Sequence, residues 1–436
     1  MSAKAFSRLR KILTVVLVLA ALYGAYRYTL HRMVEAEIDA IRKQGYPVTL
    51  AELNKWYPQP PPGQNAADVY LQAFKLLAPR QPADTNLPIV GDAKLPPRGQ
   101  PMNQKLGQLV SDYLATNRQA LTLLHEGARF RQCRYPIDLT RGGATLLPHL
   151  INVRQGVRLL CLEALVEAER GDADRAARSI ACALALAQSL SEEPILLSQQ
   201  VRLTCYWITA GQLEPVLNRV SPLDASLAEW ERALAELHSQ QKLVRGCAGE
   251  RCSLIDFSMH PVKSVLDGMG SMPPPPHLRL TAFALRASGL FDVFLLRDLD
   301  AVKRFQTVCS MPFPDGVKQT KDADYPDMLT PASLINGLRL ASERTFVQLV
   351  ALDTARVTVA MTGVAVERYR VAKGNLPSRL DELVPEFLTV VPSDPFDGRP
   401  LRYKKLVKGY VVYSVGEDGK DDGGDEKKDI TFTVEW

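Results

Sequence analysis

The run VERYRVAKGNLPSRLDELVPEFLTVVPSDPFDGRPLRYKKLVKGYVVYSVGEDGKDDGGDEKKDITFTVEW, residues 366–436, changes its period twice, and its reading decides the fold. Lys373 and Gly374 end a helix, with a cation in the last turn and the residue best suited to left-handed geometry just past it. Ser378 opens a short helix to Leu383, with Asp381 three residues on in a capping-box arrangement. After the turn Asp394-Pro395-Phe396-Asp397-Gly398, two β-rich runs follow, Pro400 to Val407 and Tyr410 to Val415. Lys408 and Gly409 join them as a hairpin. A last strand covers Ile430 to Val434, and between the second and third strands lies an acidic, glycine-rich loop, the candidate site.

The order helix, LPSRLDELVPEF, VPSDPFDGRPLRY, GYVVYSVGEDG, GG and a closing DI resembles the globular half of the major pseudopilin of type II secretion systems, over residues 345–436. The resemblance implies a small antiparallel sheet packed on a long helix, and a calcium ion bound by the loop before the final strand. It does not imply catalysis. That family begins with a leader, a Gly-Phe cleavage site and a Glu early in the mature helix. Phe6 here follows Ala5, and the apolar run holds no acidic residue, so assembly into a pseudopilus in the family's manner is not expected.

The loop GEDGKDDGGDEKKDI places Asp418, Asp422, Gly423 and Asp429 at positions one, five, six and twelve of an EF-hand spacing. Lys420 stands at position three and strands flank the loop, so a true EF-hand is not expected. Asp418, Asp421, Asp422, Asp425 and Asp429, with backbone carbonyls near Ser414, are the candidate calcium ligands. The alternative is a solvated acidic turn, which Lys427 and Lys428 favour.

With 436 residues, 46% of them hydrophobic, the chain can bury a large core in two or three domains. Its net charge of +5 carries no nucleic-acid footprint: Lys4, Arg8, Arg10, Lys11, Arg27 and Arg32 precede the first acidic residue, Glu35, and the other charges nearly balance. Ile12 to Tyr26 is uncharged, about 22 Å of helix, and Leu30 extends it across a bilayer if Arg27 snorkels to the headgroups. The four basic residues ahead of it predict a single-pass inner-membrane anchor, N-terminus in the cytoplasm and bulk in the periplasm, with the lipid bilayer as its partner. A signal peptide shares these features, but no small-residue cleavage site follows the run cleanly, and an uncleaved anchor is the reading adopted.

The remainder reads as a mainly α-helical body. Residues 1–32 form the basic flank and anchor, 33–102 juxtamembrane helices and a proline-rich loop, 103–330 a helical domain, and 331–436 a long helix with the small α+β unit. Thr49 with Glu52, and Asn65, cap two short helices, and the 79–102 loop is wrapped on the surface or disordered. LLCLEALVEAERGDADRAARSIACALALAQSL has the shape of a tetratricopeptide-like hairpin, part of a helical array over 148–220, without the full repeat signature. Residues 246–277 read as irregular, and a helix from Pro331 to Lys373 is expected to break near Ala341 to Thr345. Cys161, Cys182 and Cys205 read as small buried hydrophobes. Cys247 and Cys252, flanking AGER, are a candidate disulfide in an oxidising compartment, and a zinc site with His238 or His260 is the weaker alternative.

Catalytic signatures are sparse. The six histidines form no HExxH, nucleophile elbow or metal-spaced cluster, and no phosphate-binding glycine loop appears. His125 and His149 read as caps or surface residues, and Glu163, Glu167 and Glu169 as a solvated helix face. These features predict a non-catalytic, membrane-anchored scaffold or envelope component, in contact with other envelope or secretion proteins. The rival is a hydrolase between the helical body and the terminal sheet, which a convergence of His149, Glu163 or Asp256 in a deep pocket would favour.

Overall fold

A 41-residue helix, α1 (Ala3–Lys43), leads into α2 (Leu50–Trp56) and α3 (Ala66–Leu76) in the computed structural model of the chain. The structure describes residues 3–236, 240–269, 277–311, 313–316, 318 and 343–435, and among them it is mainly helical, with one three-stranded antiparallel sheet near the C-terminus. The caps expected at Thr49 and Asn65 form, whereas the capping box expected at Ser378 with Asp381 does not: the Ser378 amide donates to the Glu382 carboxylate at 3.1 Å. The Glu52 amide donates to Thr49 Oγ1 at 3.1 Å while the Glu52 carboxylate accepts from the Val48 amide at 2.9 Å, and Asn65 Oδ1 accepts from Ala67 and Arg134 amides. The 79–102 loop is wrapped on the body: it holds a 3₁₀ turn, Pro82–Asn86, and sends Leu87 and Val90 into a buried cluster with Val110, Leu162 and Val166.

Helices α4 (Gln104–Thr116) and α5 (Arg118–Gly127) precede the central array of α6 (His149–Glu169), α7 (Ala173–Gln188), α8 (Leu196–Leu217) and α9 (Asp224–Ala235). The α6–α7 hairpin forms as expected, with Gly171 at φ +80° and Asp172 capping Arg175. Its crossing is close because Gly156 has no side chain: a Cβ there would stand 2.8 Å from Leu186 Cδ2.

The expectation of irregular structure over 246–277 is overturned. Helices α10 (Gln240–Met259) and α11 (Pro261–Met269) occupy most of it, followed by α12 (Leu278–Ser288) and α13 (Leu290–Ser310). The glycines of α10 act as crossing points: a Cβ on Gly249 would stand 2.1 Å from the Pro194 carbonyl oxygen, and one on Gly246 would touch Leu196. The disulfide expected between Cys247 and Cys252 does not form. Neither cysteine is in a disulfide: they lie five residues apart on one helix and point away from each other, Cys247 into the main core and Cys252 into a cluster with Leu50, Leu53 and Tyr57. Cys252 Sγ instead lies 3.3 Å from the Pro47 carbonyl oxygen. His238, Pro273 to Pro276, most of the 311–331 loop and the expected helix start at Pro331 lie outside the described residues.

The terminal unit comprises α14 (Glu343–Lys373), a 3₁₀ turn (Leu380–Leu383), and strands β1 (Arg402–Leu406), β2 (Gly409–Ser414) and β3 (Ile430–Glu435), paired antiparallel in that order. The hairpin turn is one residue earlier than the sequence suggests: Leu406 pairs with Gly409, so Val407 and Lys408 make the turn. Asp394 is fully buried and its carboxylate accepts from the Phe396 and Val415 amides, Ser414 Oγ and Arg402, tying the SDPFDG turn to the end of β2. The sheet lies on α14 at Gly363, whose carbonyl accepts from Tyr410 Oη at 2.9 Å and whose missing Cβ would stand 2.3 Å from the Phe432 ring. One buried apolar cluster runs from Ala66 to Val434, through the array and across the terminal unit.

The body also closes one edge of the sheet, that of β3. On α8, Glu214 accepts from the Thr433 amide at 2.9 Å, and Asn218 bonds both the Thr433 carbonyl (2.9 Å) and the Glu435 amide (2.8 Å). Two side chains one helical turn apart thus take the place of a further strand. N218A leaves the buried Thr433 carbonyl unpaired and is expected to cost about 1–3 kcal/mol in urea unfolding. Gly363→Ala, which drives a methyl into the buried Phe432 ring, is expected to cost about 1–3 kcal/mol in the same measurement.

At the other end, α1 docks on α13. Val34 and Ile41 pack with Val48, Ile255, Leu295 and Leu299, and Arg27 pairs with Asp292 at 2.7 Å. The apolar window of α1 is long enough to cross a membrane, and none of it is buried against the rest of the protein, a property that signal sequences share.

Candidate functional site

The acidic loop between β2 and β3 folds onto its own backbone. Asp418, Asp421 and Asp425 each accept, through Oδ1, from the amide two residues on, those of Lys420, Gly423 and Lys427, at 2.9–3.0 Å. These are Asx turns, the local chemistry that Asp favours beside Gly. Asp422 pairs with Lys428 Nζ at 2.8 Å. Asp429 differs: 6% exposed, it accepts from the Gly424 amide through Oδ2 at 2.7 Å, while its Oδ1 is buried without a partner. No three His, Cys, Asp or Glu side chains converge as metal ligands among the described residues. The loop therefore keeps Asp418, Asp421 and Asp425 in separate local turns and aims one aspartate, Asp429, inward.

A second candidate lies in the body. A cavity of about 600 Å³ opens between the chain entering α3 and the end of α7, with Tyr70, Cys133, Gln188, Ser189, Glu192 and Glu236 on its walls. Ser189 Oγ meets Tyr135 Oη at 2.9 Å and also bonds the Leu186 carbonyl at 2.6 Å. Burial pushes the Cys133 thiol up to about 12, so it stays protonated. Behind this wall Tyr135 stacks on His149, ring centroids 4.2 Å apart, and His149 Nε2 pairs with Glu193 at 2.9 Å. Ser198 Oγ donates to the other Glu193 oxygen at 2.5 Å.

His149 is thus neither cap nor surface residue, as its place after Pro148 suggested, but 3% exposed in a paired polar network. Its contact with Tyr135 is face to face, which carries no proton toward Ser189, so no Ser–His–Glu relay runs through it. The chain matches no protein-family model, no curated protein and no solved structure. Of the three residues whose convergence would have favoured a hydrolase, each engages a different partner: His149 with Glu193, Glu163 with His125, and Asp256 with His260.

His125 is the residue the sequence reading most underrated. Its Nδ1 lies 3.1 Å from Cys182 Sγ and its Nε2 2.7 Å from Glu163 Oε2, an oxygen that also accepts from Ser179 Oγ at 2.7 Å. Helices α5, α6 and α7 each supply a member, and the 3.6-residue period puts Ser179 and Cys182 on one face of α7. Glu163 and Cys182 are therefore neither solvated-face nor fully buried apolar residues. Glu169, too, is engaged, accepting from the Met102 amide at 3.0 Å and pairing with Arg219. Only the one-turn spacing of Ser179 and Cys182 was visible in the sequence, since the histidine comes from more than fifty residues away.

The bonds to Cys182 and Glu163 hold the His125 pKa up at about 10, against an opposing effect of burial. A pKa above the unfolded value near 6.5 stabilises the fold fully below that value, and the stabilisation fades as pH rises toward 10. His125→Gln is accordingly expected to lower Tm at pH 6–7, with the gap to wild type narrowing steadily from pH 7 to 10 in buffered thermal melts.

Proposed function

We propose that this chain is a membrane-anchored, non-catalytic envelope scaffold with its body on the extracytoplasmic side. The observation that carries the reading is α1. It begins as a helix none of whose apolar window is buried among the described residues, and it continues without a break into residues packed on α13. An apolar helix of that kind needs lipid around it, and its unbroken extension makes a stalk that fixes the body against the bilayer. Arg27, at the junction, is neutralised by Asp292 of the body, and the basic residues ahead of the apolar run favour a cytoplasmic N-terminus.

In this reading the terminal α+β unit is a pseudopilin-like module that has been built into a larger body. Three features support that integration. Arg98 bridges Glu214 of α8 and Glu426 of the acidic loop, Arg368 of α14 bonds Asp224 and Glu231 of α9, and the edge of β3 is covered by α8. Surfaces that a filament subunit would offer to its neighbours are used within the chain. Work is done through contacts with other envelope or secretion components.

Calcium fits the acidic loop in part. Asp429 offers a buried, unpartnered oxygen, and of the four aspartates that precede it in the loop, Asp418, Asp422 and Asp425 each have one oxygen engaged while Asp421 has both, with the Gly423 amide and Arg402. A bound calcium ion would supply the positive charge that this buried carboxylate lacks, with Asp429 as its anchor and the other four as candidate ligands. Extracellular sites of this type bind at about 0.1–1 mM, and a site at 100 times its Kd gains about 2.7 kcal/mol.

Two measurements test the reading. Protease added outside spheroplasts is expected to digest the body and leave the N-terminus protected; full protection of the body overturns the topology. For the full chain in detergent, 10 mM calcium is expected to raise Tm by several degrees and D429N to abolish the rise. No shift in the wild type removes calcium from the reading and leaves the anchored scaffold intact.

A further inference from the structure

We propose that Cys182 is a modification site: a nucleophilic thiolate, held by His125 and Glu163, that exchanges with small disulfides and carries the resulting mixed disulfide. The geometry has the order nucleophile, base, orienting carboxylate, at 3.1 and 2.7 Å, with the carboxylate itself fixed by Ser179 Oγ. The two ring nitrogens point at different partners, so the imidazole cannot chelate a metal together with both of them; it can only donate to both or relay a proton between them. The Cys182 sulfur, 3.1 Å from a ring nitrogen, is within hydrogen-bonding reach of the imidazole.

The site is open to small molecules. Cys182 is partly exposed, and the His125 side chain is 32% exposed. The charged and titratable groups around the pair are Glu163 from α6 and Tyr70 from α3, the latter kept neutral by burial. The cavity-wall thiol of Cys133 and the core thiols of Cys161, Cys205 and Cys252 are all pushed up to about 12 by burial and stay protonated.

In the exchange, the Cys182 thiolate attacks one sulfur of the disulfide, the S–S bond breaks, and a new S–S bond joins Cys182 to that sulfur. The departing thiolate leaves with the electron pair and takes the proton that His125 carries. The neutral imidazole keeps its other hydrogen on Glu163. The disulfide is the oxidant, reduced to one free thiol. The inference stands independently of the scaffold reading, since it needs neither the anchor nor the acidic loop.

The test is the reaction of the full chain with limiting 4,4′-dithiodipyridine, followed by peptide mapping. At pH 6 one thiol is expected to react about tenfold or more faster than a cysteine peptide, to map to Cys182, and to keep a nearly level rate from pH 6 to 8. Cys182→Ser removes the fast phase, and His125→Gln returns the rate to the rise with an inflection near 8.5 of an ordinary thiol. A fast phase that maps to Cys133, a Cys182 rate at pH 6 equal to the peptide's, or an unchanged rate in a folded H125Q overturns the proposal. The wild-type map and pH profile decide it even where a variant does not fold.

Discussion

Helix α8 must be covered on almost every side, and the rest of the molecule is arranged to do it. Leu203, Cys205, Tyr206, Ala210, Leu213, Val216 and Leu217 are buried, and so are the polar Ser198, Gln199, Arg202 and Thr209; the exposed stripe is narrow, marked by Leu197, Trp207 and Gly211. A helix of this kind is stable only inside a packed assembly. The α6–α7 hairpin covers one flank, α10 crosses its N-terminal end at Gly246 and Gly249, and α14 with β3 covers the remainder. One of the buried polar residues, Gln199, holds the turn before α8: its side-chain amide donates to the Leu190 and Glu193 carbonyls at 2.9 and 2.7 Å. The cavity wall and the His149–Glu193 pair are by-products of that same turn.

The closing of β3 follows from the same helix. An exposed edge strand offers unpaired amides and carbonyls to any passing chain, and a three-stranded sheet has two such edges. Here Glu214 and Asn218 satisfy one of them from the last turns of α8, while Arg98, from the wrapped loop, neutralises Glu214 and reaches Glu426. Burial raises the Glu214 pKa, so without Arg98 and the Thr433 amide this carboxylate would be poorly tolerated. The proline-rich segment, which has no periodicity of its own, thereby has a structural task in joining body and sheet.

What was legible in the sequence was what depends on near neighbours. The Gly171-Asp172 turn, the caps at Thr49 and Asn65 and the three strands of the terminal sheet each rest on residues a few positions apart, and each appears within a residue or two of its expected place. The residues misread were those whose meaning is set by distant partners. Gly246 and Gly249 look like breakers until Pro194 and Leu196 are laid against them. Cys247 and Cys252 look like a loop disulfide until that segment is a helix with two different faces to bury. His149, Glu163 and Cys182 look bland because Glu193 and His125 approach from other helices. Pairing across 38 to 57 residues leaves no periodic trace, and only the fold supplies it.

The two ends of the chain make opposite demands on the body. At the N-terminus none of the apolar window of α1 is buried among the described residues, and its last buried turns, Val34 and Ile41, are fixed to α13. At the C-terminus a small sheet has every apolar side chain of β2 buried and one edge sealed, so it offers its acidic loop outward. From α1 to the loop, α13, α10, α8 and β3 form a series of packed elements without an intervening flexible linker among the described residues. A body built this way holds the loop at a fixed place relative to α1, which a tethered, freely swinging domain could not do.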